Sequence, residues 1–230
     1  MFQTNPFLLI VLFVGLSLLP FVAMIATSYL KIVIVMSLIR NALGIQSIPP
    51  NMVVNALAMI LTFYIMAPVL SESWGIAKAE LTAPAAAAAA PAGGAVQAAP
   101  LLETEAVAKA AEPFRAWLSG HTADRERAFF IHTAERLWGK DGEPAVIDAE
   151  SFYILIPSFC VSELTKAFQI GFLVYRPFIA IDIIVSNILL AMGMMMVSPV
   201  TISLPFKLLL VVMVDGWTLL IQGLVRGYLL

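Results

Sequence analysis

Two long stretches without a charged residue constrain this chain more than any other feature. The first runs from Met1 to Leu30 and the second from Asn41 to Ser71. As a helix, the first would be roughly 45 Å long at about 1.5 Å per residue, against a hydrocarbon core of about 30 Å. In the second, Pro49-Pro50 near the start and Pro68 near the end predict a helix from Asn51 to Ala67, just long enough to cross. We therefore expect two membrane-spanning helices in this part of the chain.

The composition supports a membrane protein and narrows the classes of function. Hydrophobic residues make up 61% of the chain and charged residues 12%, whereas about a quarter of a soluble domain is charged. A net charge of -2 offers no basic surface for nucleic acid. The single cysteine, Cys160, excludes a disulfide framework and a cysteine metal cluster, and we interpret it as a packing residue. The first hydrophobic segment lacks the basic start of a signal peptide, so we expect it to be retained, with a kink at Pro20.

The charges around the first two helices predict their orientation. Their connection carries Lys31 and Arg40 and no acid, so it should face the cytoplasm and send the residues after Ser71 to the opposite side. Residues 72–150 carry twelve acids and seven bases and form a polar insert. The chain is thus predicted to consist of a hydrophobic helical hairpin (1–71), a polar insert (72–150) and a second hydrophobic hairpin (151–230).

Within the insert, low complexity predicts a flexible linker over 83–100. Two amphipathic stretches follow, over 101–112 and 124–138, the second with Asp124 as its N-cap and "KDG" at 140–142 as its stop. Both histidines, His121 and His132, lie here, and Glu135 is three residues after His132. If one helix covered both histidines, a metal or pH-sensing site would be possible, but a solvated helix face is our preferred interpretation.

In the last third, charged residues interrupt the apolar sequence, and only 183–206 is uncharged for long enough to span. This stretch contains Pro199 and Pro205, where a helix should stop. We therefore expect two helices, at about 177–197 and 205–229, joined at "SPVTIS". The interrupting charges are Glu163, Lys166, Arg176, Asp182, Lys207, Asp215 and Arg226.

A charge facing lipid costs roughly 2.5 to 3.5 kcal/mol on insertion scales, so these side chains should face protein or water. Glu163 and Lys166 are three residues apart, which fits a local surface pair as well as a subunit contact. Lys207 follows "SLPF" at a predicted helix start, where it could anchor the hairpin at an interface.

The remaining charges differ in how they would be placed around their helices. Asp215 and Arg226 are eleven residues apart and fall on nearly one face of the second helix. Arg176 and Asp182 are six residues apart, fall on different faces and need separate partners. We expect an assembly of subunits to supply them.

Four of the eleven methionines lie within five residues, at Met192 and at Met194 to Met196. Consecutive helical residues are about 100° apart, so the last three cannot all point into one core stripe, and the run is typical of a helix end or hairpin tip. One interpretation is that these flexible side chains fill lipid-facing or interhelical gaps. The other is an apolar constriction, formed by several subunits, that blocks ions and yields to a passing chain.

Several stretches resemble the SctR/FliP family of the type III export apparatus, and they are more similar to its injectisome branch than to its flagellar one. The likeness covers nearly all of 15–71 and 151–228, and we identify no counterpart of residues 81–120. The motifs are "SLIRNALGIQSIPPN" (37–51), "YIMAPV" (64–69), "VSELTKAFQIGF" (161–172), "PFIAIDIIVSNILLAMGMMMVSPVTISLPFKLLLVV" (177–212) and "VDGWTLL" (214–220).

This resemblance implies an all-α fold in which hydrophobic helical hairpins build an export gate of the bacterial inner membrane, with an α-helical periplasmic insert. It implies a non-enzymatic pore subunit for unfolded secreted proteins, without a cofactor, whose assembly projects partly to the periplasmic side. About five copies would join SctS-like and SctT-like subunits in a staircase, next to SctU-like and SctV-like components. Met194, Met195 and Met196 would form a gasket, and Asp182, Lys207 and Asp215 would pair between subunits.

Two other classes of function remain to be weighed. A stand-alone transporter or channel for small solutes often has two similar halves, but 1–71 and 151–230 show no common pattern of charge or proline. An intramembrane enzyme would need a nucleophile and a base together, yet both histidines lie in the polar insert. We predict no catalytic residue and no metal site.

Overall fold

Eight α-helices and no strand make up the residues that the computed structural model describes, which are 6–45, 49–87, 104–139 and 147–229. The predicted all-α class is therefore confirmed. The helices are α1 (Pro6–Ile25), α2 (Tyr29–Ala42), α3 (Asn51–Ala87), α4 (Thr104–His121), α5 (Asp124–Trp138), α6 (Phe152–Ala191), α7 (Pro199–Met213) and α8 (Gly216–Arg226).

The first hydrophobic segment bends after α1. The helix continues through Pro20, and a 56° bend separates Phe13–Ile25 from α2. The hydroxyl of Thr27 donates to the Ala23 carbonyl oxygen at 2.6 Å. A side chain that competes in this way for a helical carbonyl favours a break. The main bend therefore lies at residues 26–28, several residues beyond the predicted kink.

Helix α3 begins at Asn51, as predicted, but its predicted end at Ala67 is wrong. It passes through Pro68 and continues to Ala87. A proline inside a helix removes one backbone hydrogen bond and clashes with the preceding turn, but the helix continues here, and the alanine-rich sequence that follows favours it. The first five residues of the predicted linker, 83–87, are consequently helical, and 88–100 lie outside the described residues.

The predicted boundaries in the last third are also wrong. Instead of starting near residue 177, α6 runs without interruption for 40 residues from Phe152 to Ala191. Helix α7 begins at Pro199, which occupies a position in the first turn where a missing N–H costs nothing. A 60° bend then separates α7 from α8. The helix break thus falls at the methionines, and a second break precedes Gly216.

Helices α4 and α5 form the described part of the polar insert. The bounds of α5 match the prediction, but its N-cap is Ala123 and Asp124 is the first helical residue. The predicted stop at 140–142 lies outside the described residues. Because α4 ends at His121 and α5 begins after it, the two histidines lie on different helices.

The chain divides into two compact units. One comprises residues 1–65 and 160–230, and the other comprises residues 66–159. In the first unit α2 is central: Ile32, Val35 and Met36 are buried and pack in one cluster with Phe178 of α6 and Leu224 of α8. The division into two hairpins and an insert stays a prediction.

In the second unit, aromatic side chains join α4 to the start of α6. The rings of Trp117 and Phe159 lie 5.1 Å apart, and those of Phe114 and Phe152 lie 6.4 Å apart. Leu118 and Phe159 are fully buried. Aromatic contacts of this kind dominate the energetics of small cores.

Helices α3, over Asn51–Ala79, and α6 are each long and apolar enough to cross a membrane. If each bent pair, α1–α2 and α7–α8, is counted as one span, the described residues contain up to four. The chain is a membrane protein.

Candidate functional site: a methionine loop and two buried charge clusters

The residues between α6 and α7, 192–198, form a turn that we call the methionine loop. Helix α6 ends in a Schellman motif, in which Met194 N donates to Leu189 O at 2.9 Å and Gly193 N to Leu190 O at 3.0 Å. Gly193 has a φ of 73°, which only glycine adopts without strain. The predicted placement of the methionines at a helix end is confirmed.

The methionine side chains point away from the interior of the chain. Met194 is 44% exposed, Met195 82% and Met196 99%, and Met192 is also exposed. Within the part of the chain that the structure describes, none of the four is buried, so a lipid-facing loop and a constriction formed by several subunits are the two interpretations that fit their exposure.

One charge cluster ties α6 to α7 below this loop. Lys207 Nζ lies 2.7 Å from Asp182 Oδ2 and donates to the backbone carbonyl of Ala42 at 3.0 Å. Ser203 Oγ donates to Asp182 Oδ1 at 2.5 Å. Lys207 and Ser203 are buried, whereas Asp182 keeps about a third of its side-chain surface exposed.

A second charge cluster joins α2, α6 and the residues after α8. Glu163 is fully buried and accepts from Lys31 at 3.0 Å and from Lys166 at 3.1 Å. The hydroxyl of Tyr228 donates to Glu163 Oε2, the same oxygen that Lys31 contacts, while Lys166 contacts Oε1. Lys31 Nζ lies 3.5 Å from the centre of the Tyr228 ring. The ring contributes a cation–π contact to a lysine that is itself only 3% exposed.

This second cluster corrects two sequence-based interpretations. The pair of Glu163 and Lys166 exists, but its carboxylate is buried, so it is no surface pair. Lys31 is buried and paired with Glu163. Of the two basic residues from which the orientation of the first two helices was predicted, only Arg40 therefore stays unpaired with an acid among the described residues.

Other predicted site residues are not brought together. Arg176 and Arg226 are exposed and form no ion pair with any described residue. Asp215 is exposed at the break before α8, where its Oδ1 accepts from Thr218 at 2.9 Å. Because the break precedes it, Asp215 and Arg226 do not lie within the single helix that was predicted for 205–229.

Inter-subunit roles for these charges stay predictions. The structure does place Asp182 and Lys207 in contact within one chain, which gives each a partner without a neighbouring subunit. Sequence reasoning missed Tyr228 and Ser203, which carry no formal charge and give no pattern of their own. It also misjudged Lys31, whose position in an otherwise apolar run was a usable signal of burial with a partner.

Within the described ranges, no group of three or more histidine, cysteine, aspartate or glutamate side chains is placed to hold a metal ion. His121 Nδ1 lies 2.8 Å from the Trp117 carbonyl oxygen, and His132 lies 3.2 Å from Glu135. Cys160 is half-buried in α6. Taken together, the site consists of the exposed methionine loop between α6 and α7, two helices that the ion pair of Asp182 and Lys207 joins.

Comparison with known proteins matches this chain to the model of the FliP family over residues 12–224. Hypersensitivity response secretion protein HrcR of Ralstonia nicotianae is 46% identical over 222 residues, which are 96% of this chain and 96% of that protein. Yop proteins translocation protein R of Yersinia pestis is 47% identical over 224 residues, 96% of this chain and 95% of that protein. Flagellar biosynthetic protein FliP of Bacillus subtilis is 39% identical over 225 residues, which are 96% of this chain and 90% of that protein.

Proposed function

This chain belongs to the FliP family, and we propose that it is a non-enzymatic, pore-forming subunit of a type III secretion export gate. It would pass unfolded protein substrates across the bacterial inner membrane. The names of its relatives support a role in protein secretion and translocation. Identity is higher to these two proteins than to the flagellar relative, which favours the injectisome branch.

The observation that carries the proposal is the exposed methionine loop. Met194, Met195 and Met196 have no place in the interior of their own chain. Methionine is flexible and polarizable, so a ring of such loops would close around water and ions and re-pack around a passing polypeptide. We therefore assign the gasket to these three residues.

The buried charges give the loop a rigid support. Ser203 and Lys207 both reach Asp182, so α7 is joined to α6 at this residue. A loop at the tip of two tied helices is held in one position, which a closed constriction needs. The charges of this cluster therefore serve to position the gasket.

The proposed setting is an oligomer in the inner membrane. About five copies would assemble around the pore as a staircase of heterologous contacts, with SctS-like and SctT-like subunits and next to SctU-like and SctV-like components. Large apolar side chains are exposed along α1 and α6, such as Phe13, Phe168 and Phe172. Sister subunits and lipid would cover them.

The test is replacement of Met194, Met195 and Met196 together by alanine in cells that carry the complete secretion system. We expect greater small-ion leak, because the smaller side chains leave the constriction open. The matched control is Met213→Ala, an exposed methionine at the end of α7. Unchanged leak together with intact secretion would remove the gasket assignment.

A second measurement addresses the oligomer. The tagged chain is purified in mild detergent with its co-expressed partners, and the mass of the intact complex is determined. A monodisperse monomer stabilised by a small solute would instead support a stand-alone transporter.

A further inference from the structure

A cavity of about 360 Å³ lies between the end of α2 and the junction of α7 with α8. Arg40 and Asp215 both line it. Its other walls are apolar, with Leu43 from α2, Leu208 and Val212 from α7, and Trp217 from α8. A concave, mostly apolar site with a few polar groups is the usual form of a binding pocket.

The two charged groups of this cavity are not neutralised by the described part of the chain. Arg40 Nη1 donates to the Pro49 carbonyl oxygen at 3.3 Å and to Asn51 Oδ1, and its Nε is buried without an acceptor. Among the described residues, the carboxylate of Asp215 accepts only from the neutral hydroxyl of Thr218. No ion pair joins Arg40 to Asp215 or to another described acid. The buried Nε of the half-buried Arg40 is costly without an acceptor, whereas the carboxylate of Asp215 is exposed and accessible to a ligand.

The backbone holds the carboxylate of Asp215 in place. Its φ is 51°, in the left-handed region that residues other than glycine rarely adopt. At the following Gly216, an added Cβ would lie 3.1 Å from Val211 Cγ1 and 3.2 Å from the Val211 carbonyl oxygen. The bend at which Asp215 lies is therefore set by close backbone approach.

The position of the cavity indicates where a ligand would come from. Arg40 is hydrogen-bonded to Asn51, the first residue of the candidate span Asn51–Ala79. The end of a span lies at the level of the lipid headgroups. Trp217, which also lines the cavity, is partly exposed, and tryptophan is enriched at the headgroup level in membrane proteins. Val212 and Leu208 are exposed and continue the apolar wall outwards.

We propose that this cavity binds the headgroup of a phospholipid that carries both a phosphate and a primary ammonium group, as phosphatidylethanolamine does. Arg40 would bind the phosphate and Asp215 the ammonium, while the acyl chains would lie along Val212 and Leu208. The volume of about 360 Å³ is at the small end of ligand sites, which span about 300 to 1,000 Å³, and suits a headgroup rather than a whole lipid. This site does not depend on the proposed gasket.

The choice of headgroup follows from the pair of charges. A primary ammonium donates hydrogen bonds to a carboxylate, whereas the trimethylated ammonium of phosphatidylcholine cannot. Phosphatidylglycerol has the phosphate but no cation, so it would satisfy Arg40 and leave Asp215 without a partner. These three lipids, with identical acyl chains, therefore separate the contributions of the two residues.

The experiment uses the full chain, purified with its co-expressed partners and placed in nanodiscs of phosphatidylcholine into which one test lipid is titrated. Thermal stability is followed, and the lipids that the protein retains after extraction are counted by mass spectrometry. We expect retention of phosphatidylethanolamine over both other lipids. Asp215→Asn and Arg40→Gln should each weaken it by roughly tenfold or more, because each removes a charge-assisted contact.

Two controls separate loss of the site from loss of the fold. Asn at position 215 tolerates a positive φ and can still accept from Thr218, and Arg226→Gln removes an exposed arginine that does not line the cavity. Each variant must melt like the unmodified protein in phosphatidylcholine alone. Equal retention of phosphatidylethanolamine and phosphatidylcholine would overturn the proposal, as would a preference that survives both cavity variants or a dependence on Arg40 alone.

Discussion

Lys207 and Asp182 form an ion pair with a distance of 2.7 Å between Nζ and Oδ2, but the two side chains are buried very differently, at 3% and 34% exposure. The lysine side chain is almost completely buried, whereas the aspartate side chain remains partly exposed to water. Because an unpaired charge is costly only where it is desolvated, the pair should respond asymmetrically to the loss of either member.

We predict that Asp182→Ala destabilises the chain more than Lys207→Met. The first leaves a buried ammonium without its carboxylate, at a cost of about 3 to 5 kcal/mol. The second leaves a partly solvated carboxylate that also accepts from Ser203. Unfolding followed by circular dichroism in detergent should show this order, and the double variant should be closer to Lys207→Met than to Asp182→Ala. Equal losses would contradict the asymmetry.

In the cluster around Glu163, the charge should matter more than any one hydrogen bond. Glu163→Gln leaves Lys31 buried without a counter-charge, so we expect a loss of about 3 kcal/mol or more. Tyr228→Phe removes one hydrogen bond to a carboxylate, worth about 1.5 to 3 kcal/mol.

Lys166→Ala should cost at most about 1 kcal/mol, because its side chain is 40% exposed. The control for Tyr228→Phe is Tyr175→Phe, since the Tyr175 hydroxyl makes no hydrogen bond within the described residues. A Tyr228→Phe variant as stable as this control would argue against the hydroxyl's role.

Helices α2 and α6 approach closely at Gly171. A Cβ added there would overlap with Leu38 Cδ1 and lie 3.4 Å from two further Leu38 atoms. Gly171→Ala should therefore cost about 1 to 3 kcal/mol through overpacking, offset by about 0.5 to 1 kcal/mol from helix propensity, and Leu38→Ala in the same chain should recover part of the overpacking cost. Gly223→Ala is the matched control, because nothing lies within 4 Å of its added Cβ. The control should gain about 0.5 to 1 kcal/mol from helix propensity. Equal melting temperatures for both single variants would refute the close approach.

The end of α6 should depend on the backbone of Gly193 alone. A Cβ would meet nothing within 4 Å there, but φ is 73°. We expect Gly193→Ala to cost about 1 to 2 kcal/mol through left-handed strain, and Gly193→Asn to cost less. Denaturant titration of purified protein measures both. If alanine proves no worse than asparagine, the Schellman end does not determine the position of the methionine loop.

The sequence predicted membrane helices and the placement of the methionines correctly, because both follow from local quantities. Charge-free length determines which segments can lie in a bilayer, and three consecutive methionines cannot share one helix face. The end of α3 at Ala87 and the start of α6 at Phe152 were missed for a related reason. Proline and charge were taken as stop signals, but in α3 and α6 the helix continues through Pro68 and past Arg176.

The sequence did not show which charged residues contact one another. Glu163 and Lys166 are neighbours on one helix and could be paired by spacing alone, whereas Lys31, Tyr228 and Ser203 come to their partners from distant parts of the chain. The unpaired charges of Arg40 and Asp215 at one cavity are likewise visible only when α2 and the α7–α8 junction are placed together.

The amino-acid sequence by itself determined the class of environment, the helical content, the methionine-rich turn and membership in the FliP family. Each of these depends on composition or on residues close together in the chain. Only the tertiary structure decided that Lys31, Glu163 and Lys207 are buried and which groups satisfy them. The free energy of a buried charge depends on the atoms around it, and those atoms come from helices separated by more than a hundred residues of chain.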